Sequence, residues 1–252
     1  MIIIKTKQEI EKMREAGKLL ASVHRKIADM IRPGITTYEI DQFVEEYLEK
    51  HGATAEQKGY MGYKYATCAS INDEICHGFP RKEPLKNGDI VGIDMVVNLE
   101  GWLADSAWTY GVGDISQEAQ KLLDVTKKAL YLGIEQAIVG NRIGDISHAI
   151  QSYVESKGFS VVRDFVGHGI GKNIHEDPQV PHFGRPGRGP RLMDGMVLTI
   201  EPMINVGGHG CTIDDNGWTA RTIDGKLSAQ YEHTLAITKD GPMILTDQDS
   251  LE

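Results

Sequence analysis

The chain has 252 residues, 40% of them hydrophobic, enough to bury a sizeable core as one large domain or two small halves. Its formal net charge of -9 argues against a nucleic-acid binder, whose affinity would rest on Lys and Arg neutralising phosphates. Three cysteines (Cys68, Cys76, Cys211) without repeated spacing argue against a disulfide framework, and no stretch reads as a signal peptide or membrane span, so a cytoplasmic protein is expected.

Thr6-Lys7-Gln8-Glu9 is a capping box, and Ile10, Met13, Gly17, Leu20, Ile27 and Ile31 recur at helical spacing, which predicts a long first helix stopped at Pro33-Gly34. A second box, Thr36-Thr37-Tyr38-Glu39, opens a helix carrying Ile40, Phe43, Val44, Tyr47 and Leu48 up to Gly52. An offset of 106 reproduces this segment: Gly34 maps to Gly140, Ile40 to Ile146, Tyr47 to Tyr153 and Gly52 to Gly158. A second echo, offset by 107, sets Asn87-Gly88-Asp89-Ile90-Val91-Gly92-Ile93-Asp94 against Asp194-Gly195-Met196-Val197-Leu198-Thr199-Ile200-Glu201. Two echoes with almost one offset predict an internal duplication, with halves of roughly 1–115 and 116–252 meeting about a pseudo-two-fold axis within one domain. Asp94 and Glu201 then face each other across it.

Residues 89–97 read as a strand, Asn98-Leu99-Glu100-Gly101 as a four-residue turn and 102–110 as the returning strand. In that register Val97 faces Trp102, Met95 faces Ala104, and Asp94 faces Asp105 on one side of the sheet. Opposed residues have Cβ atoms about 4.5–5.5 Å apart, where like charges repel. The flanking Val91, Ile93, Val96, Val97 and Leu103 belong to a covered sheet, so the pair must take up a proton or bind a cation. Further acids stand at the ends of apolar strands: Glu201 after Val197 to Ile200, and Glu232 before His233 to Ile237.

His168, in Gly167-His168-Gly169-Ile170-Gly171, follows an expected strand over 160–166, and His175 comes seven residues later; both are read as loop residues at a strand end. The glycines lack GxGxxG spacing and a following helix, which excludes a nucleotide cradle. His77 sits in Cys76-His77-Gly78-Phe79-Pro80. A lone loop histidine is more often exposed than ligating, so neither His77 nor His175 earns a role from its position alone. Four strand carboxylates carry four negative charges, of which one divalent ion offsets half and two offset all. Oxygen-rich ligation with one imidazole suits Mn, Fe(II), Co or Zn.

Asp94, Asp105, His168, Glu201 and Glu232 stand in Gly92-Ile93-Asp94, Ala104-Asp105-Ser106, Gly167-His168-Gly169-Ile170-Gly171, Thr199-Ile200-Glu201-Pro202-Met203 and Tyr231-Glu232-His233-Thr234. This ordered set, with ten residues between the two Asp and six between the two His, resembles the type I methionine aminopeptidases from about Lys5 to Thr246. The resemblance implies an α+β pita-bread fold: two pseudo-symmetric halves around an antiparallel sheet, with helices on its outer side and two metal ions in its concave face. It implies that Asp94 chelates one ion, His168 and Glu201 the other, and that Asp105 and Glu232 bridge both. An ion pair so held would supply a hydroxide to attack the scissile carbonyl, with Glu201 as proton shuttle.

By the same resemblance, His77 and His175 contact the peptide, while Tyr60, Tyr63, Cys68 and Trp218 line the slot for the methionine side chain. Ile174 stands where an aromatic is common in the family and Gln57 where a small residue often occurs, which bears on the slot's shape. The implied substrates are peptides and nascent chains beginning with Met before a small second residue, cut by a monomer with no membrane or specific nucleic-acid partner. A transient association with the ribosome belongs to the family, but the 206–226 loop, with Asp214, Asp215 and Asp224 against Arg221 and Lys226, carries no sign of it. Two rivals share the fold: an Xaa-Pro peptidase, whose usual leading domain is not seen here, and a metal-free binding module, which would normally have lost ligands.

Overall fold

The computed structural model describes residues 1–251. Both capping boxes form: Thr6 Oγ1 accepts from Glu9 N at 3.1 Å and Glu9 from Thr6 N at 2.9 Å, and Thr36 and Glu39 exchange the same bonds at 3.0 and 2.8 Å. They start helices α1 (Lys7–Met30) and α2 (Thr37–Lys50). After them come β1 (Ala53–Ala55), β2 (Cys68–Ile71), β3 (Glu74–Cys76), β4 (Ile90–Leu99) and β5 (Trp102–Gly111). Side chains alternate along β4: Val91, Ile93, Met95 and Val97 pack with Leu20, Val23 and Ile27 of α1 and Ile40 and Val44 of α2. Gly92, Asp94 and Val96 therefore point to the opposite, concave face.

The hairpin corrects the expected register. β4 and β5 pair from Ile90↔Gly111 to Leu99↔Trp102, so the turn is two residues, not four. Glu100 and Gly101 both take positive φ (53° and 89°), the condition for a two-residue turn that matches strand twist. Val97 thus faces Ala104, Asp94 faces Ala107 and Asp105 faces Val96. A slip of two residues keeps every side chain on its face, so Asp94 and Asp105 still share the concave side, as diagonal rather than opposed neighbours.

The second half comprises α3 (Gln117–Glu135), α4 (Ile143–Ser156), β6 (Ser160–Val161), β7 (Gly167–Gly169), β8 (Glu176–Val180), β9 (Val197–Ile200) and β10 (Met203–Asn205). It continues with β11 (Cys211–Ile213), β12 (Ala220–Thr222), β13 (Ser228–Gln230), β14 (His233–Thr238) and β15 (Gly241–Ile244). The strand expected over 160–166 is only two residues long, because after Val162, whose N donates to Met203 O at 3.0 Å, the chain leaves β10 to reach β7. Corresponding steps recur between the halves: β1 pairs β4 at Thr54↔Asn98 and β6 pairs β10 at Ser160↔Asn205. Gly34 and Gly140 both sit at φ +96°, and Gly88 and Gly195 at +96° and +92°. Leu198, Ile200, Leu235 and Ile237 face α3 and α4, as the odd positions of β4 face α1 and α2.

A seam of hydrogen bonds joins the halves along β5. Thr234 Oγ1 donates to Asp105 O (2.7 Å) and accepts from Asp105 N (3.0 Å), Glu232 N donates to Ala107 O (2.8 Å), and Thr109 Oγ1 donates to Gln230 O (2.7 Å). These bonds place Asp105 and Glu232 side by side. All three cysteines are free thiols, and among the described residues no helix is long and apolar enough to cross a membrane.

His24 of α1 lies fully enclosed beneath the seam, its ring nitrogens 2.8 Å from Tyr110 Oη and 3.1 Å from Ser106 O. Burial pushes its imidazole down to about 4, against the opposing pull of the Ser106 carbonyl and Asp105. The unfolded chain takes up this proton near 6.5 and the folded chain only near 4, so stability is present above pH 6.5 and is lost as pH falls through that window. His24 alone accounts for at most about 3 kcal/mol of that loss. Urea unfolding between those pH values should show a rising acid limb that His24→Gln makes shallower; an identical slope in the variant would contradict this assignment.

Candidate metal centre and substrate cleft

Strand alternation delivers five side chains to one place. Asp94 comes from β4, Asp105 from β5, His168 from β7, Glu201 from the residue after β9 and Glu232 from the residue before β14. His168 Nε2 stands 3.3 Å from Glu201 Oε1 and 3.5 Å from Asp105 Oδ2. One ligand atom each from Asp105, His168 and Glu232 lie within 4.8 Å of one another. Asp105, His168, Glu201 and Glu232 are buried, and Asp94 opens onto the cleft.

The cluster is electrostatically incomplete. Asp94 Oδ1, Asp105 Oδ1 and both carboxylate oxygens of Glu232 are enclosed without a hydrogen-bond donor. Burial, then repulsion from Asp105 and Glu201, pushes the carboxyls of Asp94 and Glu232 well above the usual range. Glu201 goes the other way: burial raises it, but His168, His182 and the Thr199 hydroxyl outweigh that and hold it below the usual range. His168 is raised well above the ordinary histidine value, its burial overcome by hydrogen bonds to Asp105 and Glu201. Leaving four buried acceptor atoms unmet costs roughly 1–3 kcal/mol apiece. Divalent cations would meet them, and four carboxylates with one imidazole are a donor set that fits such ions.

His168 corrects a second expectation, since it lies in strand β7 and not in a loop. Its glycine neighbours allow close strand packing: a Cβ on Gly167 would come 2.4 Å from Thr199 O, and one on Gly169 2.1 Å from Asp177 O. His168 Nδ1 is 2.9 Å from Gly169 O, a contact that places the proton on Nδ1 and leaves Nε2 for the acids. Glu201 is held by Thr199 Oγ1 at 2.9 Å and Gln230 Nε2 at 3.1 Å, and its backbone N donates to His182 Nε2 at 3.0 Å. Sequence reasoning missed these three partners. Thr199, two residues before Glu201 on the same strand face, was the one with a readable signal.

Beside the cluster opens a cavity of about 430 Å³, and Tyr60, Tyr63, Cys68, His77, His175 and Trp218 all line it. Tyr63 packs edge-on against Trp218 (5.1 Å between ring centres) and donates to Thr67 O at 2.6 Å. His77, at φ +58°, stands between Phe165 (5.4 Å) and Trp218 (6.2 Å). That conformation is uncommon for a non-glycine residue and costs on the order of 1–3 kcal/mol. Across the cavity, His175 lies at the rim, 4.4 Å ring to ring from His168, with its Nδ1 3.1 Å from Tyr60 Oη. Burial holds both His77 and His175 below the ordinary value, with His168 also lowering His175.

Cys68 lies opposite Asp94 in the β2–β4 ladder, and burial pushes its thiol up. Gln57 reaches it at 3.6 Å while accepting from Val96 N at 2.8 Å. Gln57 and Ile174, the two departures noted in the sequence, therefore both belong to the cavity wall. Phe165 and Met203 also line it without having been singled out.

Residues 11–239 match metallopeptidase family M24. The chain is 56% identical over 246 residues to the methionine aminopeptidase of Clostridium perfringens (strain 13 / Type A), covering 98% of this chain and 99% of that one. It is 52% identical over 247 residues to methionine aminopeptidase 1 of Bacillus subtilis (strain 168), with 98% and 99% covered. The crystal structure of methionine aminopeptidase from Rickettsia prowazekii superposes with a TM-score of 0.97 at 44% identity, covering 98% of this chain and 100% of that one. The prolidase of Pyrococcus horikoshii OT3 shares the fold alone, at a TM-score of 0.78 and 22% identity, with 98% of this chain covering 64% of that one. With its fold and ordered carboxylate–histidine set, the chain belongs to metallopeptidase family M24 and, within it, to the type I methionine aminopeptidases, whose fold is the α+β pita-bread fold.

Proposed function

We propose that this chain is a hydrolase that removes the N-terminal methionine from peptides and newly made proteins, using two divalent ions and preferring a small second residue. The observation that carries the reading is the cluster of orphaned carboxylate oxygens at the side of a cavity walled by Tyr63, Trp218, Cys68 and Phe165. The whole chain forms one catalytic domain built of two halves, roughly 1–115 and 116–252. Asp94 would hold one ion, His168 and Glu201 the other, with Asp105 and Glu232 shared. Mn, Fe(II), Co and Zn all suit such donors. When bound, the ions supply Lewis acidity, polarising the scissile carbonyl and acidifying water.

The remaining work falls to the protein's own groups. Glu201, held below the usual carboxylate range, is ionised and can take a proton at a carboxylate oxygen and pass it to the leaving amine. With His175 Nδ1 turned to Tyr60 Oη, its Nε2–H is free to donate to the carbonyl oxygen as charge develops there. His77 faces the peptide beyond the scissile bond. The aromatic and thiol wall receives the thioether side chain, whose flexibility and S–aromatic contacts suit an irregular apolar slot. The family relationship supports a monomer acting in the cytoplasm on nascent chains, in transient contact with the ribosome, with no membrane or specific nucleic-acid partner.

Removing metal with a chelator and restoring Mn, Fe(II), Co or Zn one at a time should abolish and then recover release of Met from Met-Ala-Ser, with Met-Leu-Ser cut poorly. Absence of metal-dependent Met release would sink the reading, and cleavage of Ala-Pro-Ser alone would install an Xaa-Pro peptidase instead. A second outcome follows from the charges. Burial and mutual repulsion favour the protonated forms of Asp94 and Glu232, and the hydrogen bonds to Asp105 and Glu201 favour that of His168, so binding of ions works against binding of protons at this cluster. Titration calorimetry at pH 7 in buffers of different ionisation enthalpy should therefore register net proton release on loading; heats that are independent of the buffer would contradict it.

A further inference from the structure

Lys5 has no part in the chemistry above, yet its side chain is only 3% exposed and is paired with Glu176, itself 4% exposed. Lys5 Nζ also donates to Ile3 O at 3.2 Å, and its backbone N donates to Gly195 O at 2.8 Å. Glu176 follows His175 directly and pairs with Gly169, the residue after His168. Its Oε1 accepts from Asn173 N at 3.4 Å. Gly171 makes room for the pair, because a Cβ there would lie 2.6 Å from Lys5 Cε and 2.8 Å from Glu176 Oε1. The ion pair thus fills the space behind the turn that runs from Gly171 to His175. Other supports of the turn include Gly171 O, which accepts from Leu103 N at 3.0 Å, Lys172, whose Nζ lies 5.0 Å from the centre of the Trp102 ring, and Ile174, packed against the core cluster that contains Val96, Trp102 and Leu103.

We propose that Lys5 is a positioning residue: its buried ion pair with Glu176 fixes the Gly171–Glu176 turn and so sets where the His175 ring stands beside His168 and Tyr60. An exposed pair would contribute little. Loss of one partner from an enclosed pair leaves a charge that regains hydration only by moving the segment that carries it. For Glu176 that segment is the His175 turn. The proposal rests on the reading of His175 as a substrate contact.

The test uses the full chain loaded with Mn, with Met-Ala-Ser as substrate. Lys5→Met should lower kcat about 10- to 100-fold with KM changed less than about two-fold, the size expected when a catalytic group is misplaced by a fraction of an ångström to an ångström. Lys5→Arg, which keeps the charge, should restore most of kcat. The ¹⁵N-imidazole signals of His175, read in the chelator-treated and in the Zn-loaded protein, should shift in Lys5→Met and return in Lys5→Arg. A lower Tm with kcat and the His175 signals unchanged would overturn the proposal. If Lys5→Met does not fold, Lys5→Met/Glu176→Gln, which leaves no charge buried, is read by the same signals, and wild-type signals there overturn it. Failure of every pair-breaking variant to fold assigns the pair to stability alone and overturns it too.

His175→Ala separates this proposal from the functional reading. Unchanged kcat in that variant defeats the role given to His175, while the Asn173 and Ile174 amide signals still report whether Lys5 holds the turn. A lowered kcat that Lys5→Met does not lower further places both residues on one path.

Discussion

Four carboxylates pressed together at the seam of two half-sheets are the constraint on which the rest of the structure turns. Three of them are buried, and each raises the cost of ionising its neighbours. His168, drawn toward a proton by Asp105 and Glu201, offsets part of this charge, and Thr199, His182 and Gln230 steady Glu201, but among the described residues none satisfies Glu232 or the far oxygens of Asp94 and Asp105. A cluster serving stability alone would replace such groups with apolar ones at no loss. Keeping them commits the fold to cations.

The architecture holds the acids rigidly. Residue alternation sends one face of β4, β9 and β14 into the helices and the other into the concavity, and Asp94, Asp105, Glu201 and Glu232 are each backed by a core residue one position away. The β5 seam fixes the spacing of Asp105 and Glu232 through backbone and threonine hydrogen bonds rather than through the acids themselves, which leaves their oxygens free. Gly167 and Gly169 let β7 lie close enough for His168 to reach the same point. On the cavity side, edge-on packing of Tyr63 against Trp218 and the strained backbone of His77 shape a preformed slot.

Much of this was legible in the chain because it rests on local rules. Capping boxes mark both helix starts, alternation marks the core faces, and the offset of 106–107 is echoed in equal φ angles at Gly34 and Gly140. Asp94 and Asp105 fell on one face despite a wrong turn length, since a two-residue slip preserves the face; a one-residue error would have separated them. Turn length itself was hidden, because nothing in Asn98-Leu99-Glu100-Gly101 announces that Glu100 takes positive φ. The strand around His168 was hidden for a similar reason: glycines that read as loop are there for close packing against Thr199 and Asp177, residues of the two flanking strands. His182 and Gln230, which steady Glu201, depend on tertiary contacts with no local pattern, and the family resemblance, rather than any spacing, marked His77 and His175.

Whether this cluster holds two ions, as proposed, is read by crystallography of the loaded protein with anomalous scattering at the metal edge. Two peaks are expected in the concave face, with Asp105 and Glu232 between them, His168 Nε2 and Glu201 on one, and Asp94 on the other. No peak there, or ions held only by surface groups with the acids still unpartnered, would contradict that proposal.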